Sequence, residues 1–522
     1  MNAFHSRLLS SAAALGLLAG AASAETIRWG GSADLNSLDP YSYGSTFTLS
    51  FLNHVYEGLV RYDADLQIEP ALAESWEVVS DSVWRFHLRH DVTFHNGATF
   101  TAEDVLASLT RVSDPSSPLR GNLPAYQSAE IIDDYTIDIH LNGAYPLLLN
   151  DLTNIFIFDA GWLHDNNSEL PTDVAAGVEG YTTFNANGTG PFIIDERVPD
   201  TRTSMVVNPD WWDEPVHNVT RIEFTPITSA ATRVAALLSG EIDFVEGAPV
   251  QDLPRLQAAP NVNVIEGNAL RTIMFGFNRR ETLTDGRENP FNDLRLRQAI
   301  AHAIDMNLIR DRIMRGASRN AGTLVAPQIP GYSAELDEQI AYDPDLARQL
   351  VSEAGAEGLP FQLTCSYERW VNEEELCSAV ISMLTRVGLA PSLDIGPWAV
   401  QAPRMSGGQA DMFIFGWANE PMLDAYSLLV QVVRTREGTA GVFNWGAWSY
   451  PAWDALIDAA AVELDRDTRL GYETQVLAGA REEMLFVPVH QQPMAWAISD
   501  RVESVVQQAD NKPRHWLTRM AD

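Results

Sequence analysis

Lysine is almost absent from this chain of 522 residues, in which Lys512 is the only example. A phosphate-binding P-loop needs a lysine beside its glycines, so that class of nucleotide site is excluded. An enzyme that forms a Schiff base would have to use this one lysine near the C-terminus. Acidic residues outnumber basic residues by 70 to 35, and the formal net charge of −35 repels phosphate backbones and anionic lipid surfaces. A nucleic-acid partner is therefore not expected.

Cysteine is also scarce, with Cys365 and Cys377 as the only two in the chain. Two thiolates are too few to build a four-ligand zinc site on their own. In an oxidising compartment the pair could form a disulfide. The sequence leaves this open, because the separation of the two Cα atoms cannot be read from it.

Common catalytic signatures are missing as well. The chain has neither a Gly-x-Ser-x-Gly elbow nor a His-Glu-x-x-His motif, and its eleven histidines are scattered. We therefore expect no metal site and no cofactor, and the sequence gives no support for an enzyme. A secreted hydrolase stays as the alternative that an activity assay would test.

The first 24 residues have the pattern of a secretory signal peptide. Arg7 supplies a positive charge, residues 8–22 are apolar or small, and Ala22-Ser23-Ala24 forms a small-x-small cleavage site. The alternative is a retained N-terminal anchor. No later stretch approaches the roughly 18 apolar residues of a membrane span, so we expect a soluble mature protein that begins at Glu25 and lies in the periplasm.

Strand-like and helix-like patterns are mixed along the rest of the chain, which indicates an α/β protein. Thr101 is a good N-cap for a helix, with Asp104 three residues later. Residues 291–314 predict one long amphipathic helix, and residues 342–355 predict another. The strand–helix–strand pattern of residues 361–417 is typical of a parallel-sheet unit.

Nine short phrases occur in an order that resembles one family of transport receptors. They are SLDP (37–40), VYEGLVRYD (55–63), PALAESWEV (70–78), FHLRHDVTFHNGATFTAEDV (86–105), GTGPF (188–192), NPDWWDE (208–214), ALLSGEIDF (236–244), PFNDLRLRQAIAHAID (290–305) and YDPDLARQLVSEAG (342–355). Together they resemble the solute-binding proteins of peptide and nickel ABC importers. This is the dipeptide/oligopeptide-binding family, or bacterial extracellular solute-binding protein family 5. The resemblance spans nearly the whole mature chain.

The resemblance implies a two-lobed periplasmic-binding-protein fold of the type II-like class, with an extra inserted domain. The implied division is lobe I over residues 25–58, 185–275 and 485–522, the inserted domain over 59–184, and lobe II over 276–484. Hinge strands are then expected near 271–278 and 480–490, and closure of the lobes would enclose the ligand. The resemblance implies a monomeric receptor, not an enzyme, that docks on the transmembrane subunits of an ABC permease.

The stretch DMFIFGWANE, residues 411–420, contains the first candidate binding residues. In peptide-binding members of the family a strand ends in Gly-Trp, and an acid shortly afterwards pairs with the α-ammonium of the ligand. That acid falls on Glu420, where the family usually has Asp. Trp417 could cover a peptide, Asn419 lies beside Glu420, and Asp424 is the alternative anion. The competing interpretation is that Trp417 lies in the core and Glu420 is a solvated loop acid.

A peptide carboxylate needs a cationic partner, for which arginine is suited by its two-pronged donor geometry. The resemblance favours Arg369, with Arg404 and Arg271 as rivals. A solvated arginine at a helix start is the alternative interpretation of Arg369.

A second group of candidates comes from the segment YSYGSTF, residues 41–47. It resembles a lobe I loop whose backbone approaches the ligand, which makes Tyr43, Gly44 and Ser45 possible contacts. Glycine allows such a close approach of the backbone.

Tryptophans form the last group of candidates. Trp398 is included in the predicted site, and Trp445 and Trp448 would either line the cleft or pack in the core. The resulting prediction is a receptor for short peptides, whose ends are held by Glu420 and by an arginine. The alternative is the same receptor for an oligosaccharide, an opine or a metal chelate, in which the indoles would stack on the solute.

Overall fold

The computed structural model describes residues 25–367 and 369–521. The predicted signal peptide lies outside the described residues. Within these ranges, no helix combines the length and the apolar character needed to cross a membrane.

The strands of the described chain are short except for two. Their bounds are β1 (Thr26–Gly31), β2 (Val60–Tyr62), β3 (Ile68–Pro70), β4 (Ala73–Ser80), β5 (Val83–Leu88), β6 (Tyr126–Asp133), β7 (Thr136–Leu141), β8 (Phe192–Val198), β9 (Arg202–Val207), β10 (Arg221–Pro226), β11 (Phe244–Val245), β12 (Val262–Phe277), β13 (Arg319–Asn320), β14 (Pro360–Tyr367), β15 (Ala390–Pro397), β16 (Met412–Trp417), β17 (Phe486–Ser499), β18 (Val502–Ser504) and β19 (Arg519–Met520).

Helices are distributed between these strands. Their bounds are α1 (Thr46–Leu52), α2 (Ala102–Ser113), α3 (Leu148–Leu152), α4 (Ala160–Asp165), α5 (Tyr181–Phe184), α6 (Ala230–Ser239), α7 (Leu253–Gln257), α8 (Leu294–Ala303), α9 (Met306–Leu308), α10 (Pro344–Glu353), α11 (Glu373–Arg386), α12 (Trp398–Ser406), α13 (Ala425–Leu428), α14 (Pro451–Ala460) and α15 (Arg466–Glu482).

One continuous sheet organises both lobes. Its order in the described chain is β15-β14-β16-β12-β17-β11-β1-β10-β9-β8, and β13 also pairs with β17. The long strands β12 and β17 are antiparallel neighbours at the centre of this order. We refer to the part built on β1 and β8–β11 as lobe I, and to the part built on β14–β16 as lobe II. The strands β12 and β17 therefore join the two lobes.

Alternating side chains of these strands fill a core on each face of the sheet. In lobe I, Phe244 packs in one buried cluster with Trp29, whereas the next residue, Val245, packs in another. In the part of β12 that pairs with β16 of lobe II, Ile273 and Met274 divide in the same way between two further clusters. This period of two is expected for a strand that is covered on both faces.

A separate sheet with the order β4-β5-β7-β6 lies within residues 59–184. Its strands are antiparallel, and α2 follows in the position that the sequence predicts. The carboxylate of Asp104 accepts a hydrogen bond from the backbone N–H of Thr101 at 2.7 Å, which confirms the predicted start of this helix. The buried residues of this domain are continuous with the core of lobe I.

The prediction of one long helix over residues 291–314 was wrong. Helix α8 ends at Ala303, because Ile304 has an extended backbone with ψ 114°. Asp305 then caps a new turn, its carboxylate accepting the Leu308 N–H at 2.9 Å. Helix α9 continues into a π-helical turn over Ile309–Ile313. A local side-chain cap thus interrupts an otherwise suitable amphipathic pattern.

Residues 361–417 form the parallel unit that the sequence predicts. Strand β14 pairs in parallel with both β15 and β16. The question that the sequence left open for its two cysteines is answered by a disulfide between Cys365 in β14 and Cys377 in α11, with a Cα–Cα distance of 6.8 Å.

Candidate functional site

Several predicted site residues lie just after the carboxyl ends of the lobe II strands, at one edge of the sheet. Strand β14 ends two residues before Arg369, β15 ends directly before Trp398, and β16 ends three residues before Glu420. Because these strands are parallel, their carboxyl ends lie at the same edge of the sheet. Such edges are the usual position of ligands in open α/β sheets.

Arg271 lies beside this edge, in an interruption of strand β12. Between Asn268 and Thr272, β12 advances by four residues while β17 advances by two, from Pro493 to Gln491. Arg271 is half-buried, and its Nη1 lies 3.5 Å from the carbonyl oxygen of Gly416. The interruption therefore brings a guanidinium to the end of β16.

Glu420 faces lobe I across the cleft. Its Oε1 lies 3.7 Å from the Nζ of Lys512, and the side chains of the two residues are 20% and 14% exposed. Burial raises the pKa of Glu420, and the positive charge of Lys512 is the strongest effect that opposes this shift. Oε1 has no hydrogen-bond partner among the described residues. The competing interpretation of Glu420 as a solvated surface acid therefore finds no support.

Asp424, the alternative anion, is placed differently. It is 1% exposed, its carboxylate accepts the Tyr426 N–H at 3.0 Å to cap α13, and it forms an ion pair with Arg469 at 2.9 Å. Asn419 is also buried and donates a hydrogen bond from its Nδ2 to the Asp424 carbonyl oxygen at 2.9 Å. The prediction of Asp424 as a ligand anion finds no support, because its charge is already engaged. Asn419 shapes the loop that carries Glu420.

Two indoles contribute unpartnered donors at the same edge. Trp417 is half-buried and stacks on Phe415, with 6.1 Å between the ring centroids. Trp370 packs over Gly416, where an added Cβ would lie 3.0 Å from its Nε1. The Nε1 atoms of Trp417 and Trp370 are both buried without a hydrogen-bond partner among the described residues. Neither indole N–H is therefore satisfied by an acceptor among these residues.

Arg369 is exposed and lies with its Cζ 5.1 Å from the ring centroid of Trp398. Its positive charge contributes to lowering the pKa of Arg271, an effect that is dominated by burial and opposed by Glu420. Among the described residues, neither Arg271 nor Arg369 forms an ion pair with a carboxylate. Arg271 is thus influenced by the charges of both Glu420 and Arg369, and Arg369 in turn lies over Trp398.

The remaining rival, Arg404, is engaged elsewhere. Its Nη1 donates to the carboxylate of Asp394 at 2.6 Å and to the side-chain oxygen of Gln401 at 2.7 Å. The prediction of Arg404 as the partner of a ligand carboxylate finds no support. Trp445 and Trp448 are only 4% and 3% exposed and pack in the lobe II core, so they do not line the cleft.

The loop of Tyr43, Gly44 and Ser45 lies in lobe I. Ser45 caps α1, its Oγ accepting the Thr48 N–H at 3.5 Å. Gly44 is exposed and packs toward Pro118, which an added Cβ would meet at 3.2 Å. No contact between these three residues and the lobe II group is observed within the described residues.

A cavity of about 290 Å³ begins directly after this loop in lobe I. It is lined by Ser32, Thr46, Phe47, Ser50, Arg233, Glu246, Gly247, Asn511 and Lys512. Burial raises the pKa of Glu246 to about 7, opposed by the charge of Arg233. Lys512 connects this cavity to Glu420.

Sequence reasoning did not select Lys512 or Glu246 for the site. The isolation of Lys512 as the only lysine was a signal that could have found it. Glu246 follows β11 directly, so its position depends on which strands are parallel neighbours, and the sequence does not specify that.

Comparison with known proteins defines the class. The sequence model of "Bacterial extracellular solute-binding proteins, family 5 Middle" matches residues 67–439. This match covers more than half of the chain, which therefore belongs to this family of ABC-importer solute-binding proteins.

Individual relatives are similar over most of their length. The chain is 26% identical to heme-binding protein A of Haemophilus influenzae over 485 residues, which cover 87% of this chain and 84% of that protein. It is 27% identical to di/tripeptide-binding protein 2 of Pseudomonas aeruginosa over 481 residues, which cover 86% of each. The solved structure of HbpA2 from Haemophilus parasuis has a TM-score of 0.82 at 23% identity, covering 95% of this chain and 100% of that one. The family and these relatives are solute-binding proteins, not enzymes, and the fold is that of the two-lobed binding proteins.

Proposed function

We propose that this protein is the periplasmic receptor of an ABC importer, that it captures short peptides between its lobes, and that it delivers them to a membrane permease. The observation that supports this most directly is the pair of guanidiniums at the end of the lobe II sheet. Arg271 and Arg369 lie beside two buried indole N–H groups, and neither has a carboxylate partner among the described residues. A ligand carboxylate would satisfy several of these donors together.

The names of the relatives are compatible with a peptide ligand for this chain, but they include other ligands as well. One relative is named a di/tripeptide-binding protein and another a heme-binding protein. At 26% and 27% identity their ligands do not transfer to this chain. The receptor role is common to both, and a solute that carries a carboxylate agrees with the charges in this cleft.

Export to the periplasm is part of the same proposal. Residues 1–24 have the signal-peptide pattern, so the protein recovered from the periplasm should begin at Glu25. An intact mass that retains residues 1–24 would favour the N-terminal anchor instead.

A thermal-shift screen tests the ligand class. Di- and tripeptides that bind the folded state should raise the melting temperature, and at a fixed concentration the tighter ligands should raise it more. The double substitution Arg271→Ala and Arg369→Ala should abolish this shift. Arg404→Ala is the matched control, because its guanidinium pairs with Asp394, and it should retain the shift. Peptide-induced shifts that persist in the double variant would overturn the proposed carboxylate site.

A further inference from the structure

We propose that Lys512 replaces the ligand ammonium at Glu420, so that the receptor selects carboxylate ligands that lack a free amino group, such as N-blocked peptides. This inference rests on the proposed function and specifies the class of ligand for that same site. It makes Lys512 a specificity-determining residue, because Lys512 pairs with the carboxylate that was expected to hold the amino end of a peptide.

The only lysine of the chain lies close to a carboxylate of the other lobe. Lys512 belongs to the C-terminal segment that packs with lobe I, whereas Glu420 belongs to the loop after β16 in lobe II. Their charged atoms lie 3.7 Å apart, and both side chains are largely buried. An ammonium of the protein itself therefore already lies beside the carboxylate that was expected to pair with a ligand amino terminus.

Among the described residues, Lys512 forms no ion pair with an acid of its own segment. Asp510, the nearest candidate, is buried and forms an ion pair with Arg514 at 2.8 Å. It also accepts the backbone N–H of Lys512, at 3.3 Å, instead of the ammonium group. The ammonium of Lys512 therefore pairs with the carboxylate of Glu420.

Two positive charges remain at this edge after Lys512 and Glu420 have paired. Arg271 is close enough to Glu420 and to Arg369 for both to affect its ionisation, yet it has no carboxylate partner among the described residues. Once Lys512 neutralises Glu420, these two guanidiniums leave the edge positively charged. A ligand ammonium placed here would face like charges, and such juxtapositions weaken binding strongly.

The neutral groups left without a partner at this edge are hydrogen-bond donors. The buried indole N–H groups of Trp370 and Trp417 are both donors without an acceptor among the described residues. A neutral or anionic group that is rich in acceptors suits these donors, whereas an ammonium has donors only. Charge and hydrogen-bonding capacity therefore favour the same class of ligand.

Matched peptide libraries test the inference by titration calorimetry. One library contains free dipeptides and the other their N-acetylated counterparts, otherwise identical. We expect the wild-type protein to bind the acetylated members more tightly, on the order of tenfold. In Lys512→Met the carboxylate of Glu420 loses its partner, and the preference should shift toward the free dipeptides by a similar factor.

Two further variants keep the test valid if Lys512→Met folds poorly. Lys512→Arg retains a cation and should keep the wild-type preference. The double variant Glu420→Gln and Lys512→Met has neither charge, and it should lose the gain in binding of free dipeptides. A wild-type preference for free dipeptides, or an unchanged preference in a folded Lys512→Met protein, would overturn the inference. Binding of neither library would instead overturn the peptide ligand of the proposed function, and this inference with it.

Discussion

Glu420 and Lys512 form an ion pair between the lobes, in which Oε1 and Nζ lie 3.7 Å apart. The pair is therefore part of the contact between lobe II and lobe I as well as of the candidate site. Its environment is largely buried but retains some solvent access, with 20% and 14% of the two side chains exposed.

A double-mutant cycle should detect this pair as an energetic coupling. Glu420→Gln, Lys512→Met and the double variant, compared by urea unfolding, should give a coupling of about 1 kcal/mol. The reason is that either single change leaves one largely buried charge without its partner. The exposed pair of Asp345 and Arg348 is the control, and its coupling should not exceed about 0.5 kcal/mol. Equal couplings in the two cycles would contradict a special role of Glu420 and Lys512.

The disulfide should contribute measurably to the stability of lobe II. It closes a loop with a sequence separation of 12 between Cys365 and Cys377. Replacing both cysteines by alanine should lower the free energy of unfolding by about 2–3 kcal/mol, largely because the unfolded chain gains freedom. Both residues are fully buried, so calorimetry of the double variant is a cleaner measurement than treatment with a reductant. An unchanged melting temperature would exclude a stabilising disulfide.

Gly416 should be intolerant of a side chain. An added Cβ would lie 2.9 Å from Cδ1 of Ile273 and 3.0 Å from Nε1 of Trp370. Gly416→Ala should therefore cost about 1–3 kcal/mol of stability and weaken ligand binding, because Trp370 must move. Gly471 lies inside helix α15 with open space around its Cα, so Gly471→Ala should instead stabilise the protein by about 0.5–1 kcal/mol. Equal effects of the two substitutions would show that the space at Gly416 is not limiting.

Glu246 should make the stability depend on pH. Its pKa of about 7 in the folded protein exceeds the ordinary value of 4.5, because burial disfavours the carboxylate. The folded state thus binds more protons than the unfolded state between these values. The contribution of this group to stability is greatest below pH 4.5 and is lost as the pH rises through about 7.

Glu246→Gln should remove this dependence. At pH 8 the variant should be more stable than the wild type by about 1–2 kcal/mol, with no such gain at low pH. Denaturant unfolding across the pH range measures the difference. Glu357→Gln is the control, because Glu357 is exposed and its substitution should leave the profile unchanged. A parallel shift of the whole Glu246→Gln profile would contradict the assigned titration.

Much of the fold could be predicted because its signals are local. Asp104 at the start of α2 and Pro344 at the start of α10 mark helix boundaries within a few residues of chain. The long helix predicted over 291–314 failed because the cap at Asp305 overrides a continuous apolar pattern. The local sequence contains both the cap residue and the continuous apolar pattern, and it does not show which of the two determines where the helix ends.

The candidate site could be predicted only in part, for a different physical reason. The family resemblance selected Glu420 and Arg369 from one lobe, where short segments carry the signal. Their partners depend on contacts between distant parts of the chain, since Lys512 is 92 residues from Glu420. The engagement of Arg404 by Asp394 was likewise invisible, because any surface arginine can find a nearby acid.

The interrupted pairing of β12 with β17 has a mechanical consequence. Both strands join the two lobes, and their hydrogen-bond ladder is interrupted between Asn268 and Thr272, which is where we expect bending to disturb few hydrogen bonds. Arg271 lies in this interruption. A residue near the axis of a rotation is displaced less than residues far from that axis. We therefore expect the Arg271 guanidinium to meet an arriving carboxylate at nearly the same place in the open and the closed state of the lobes.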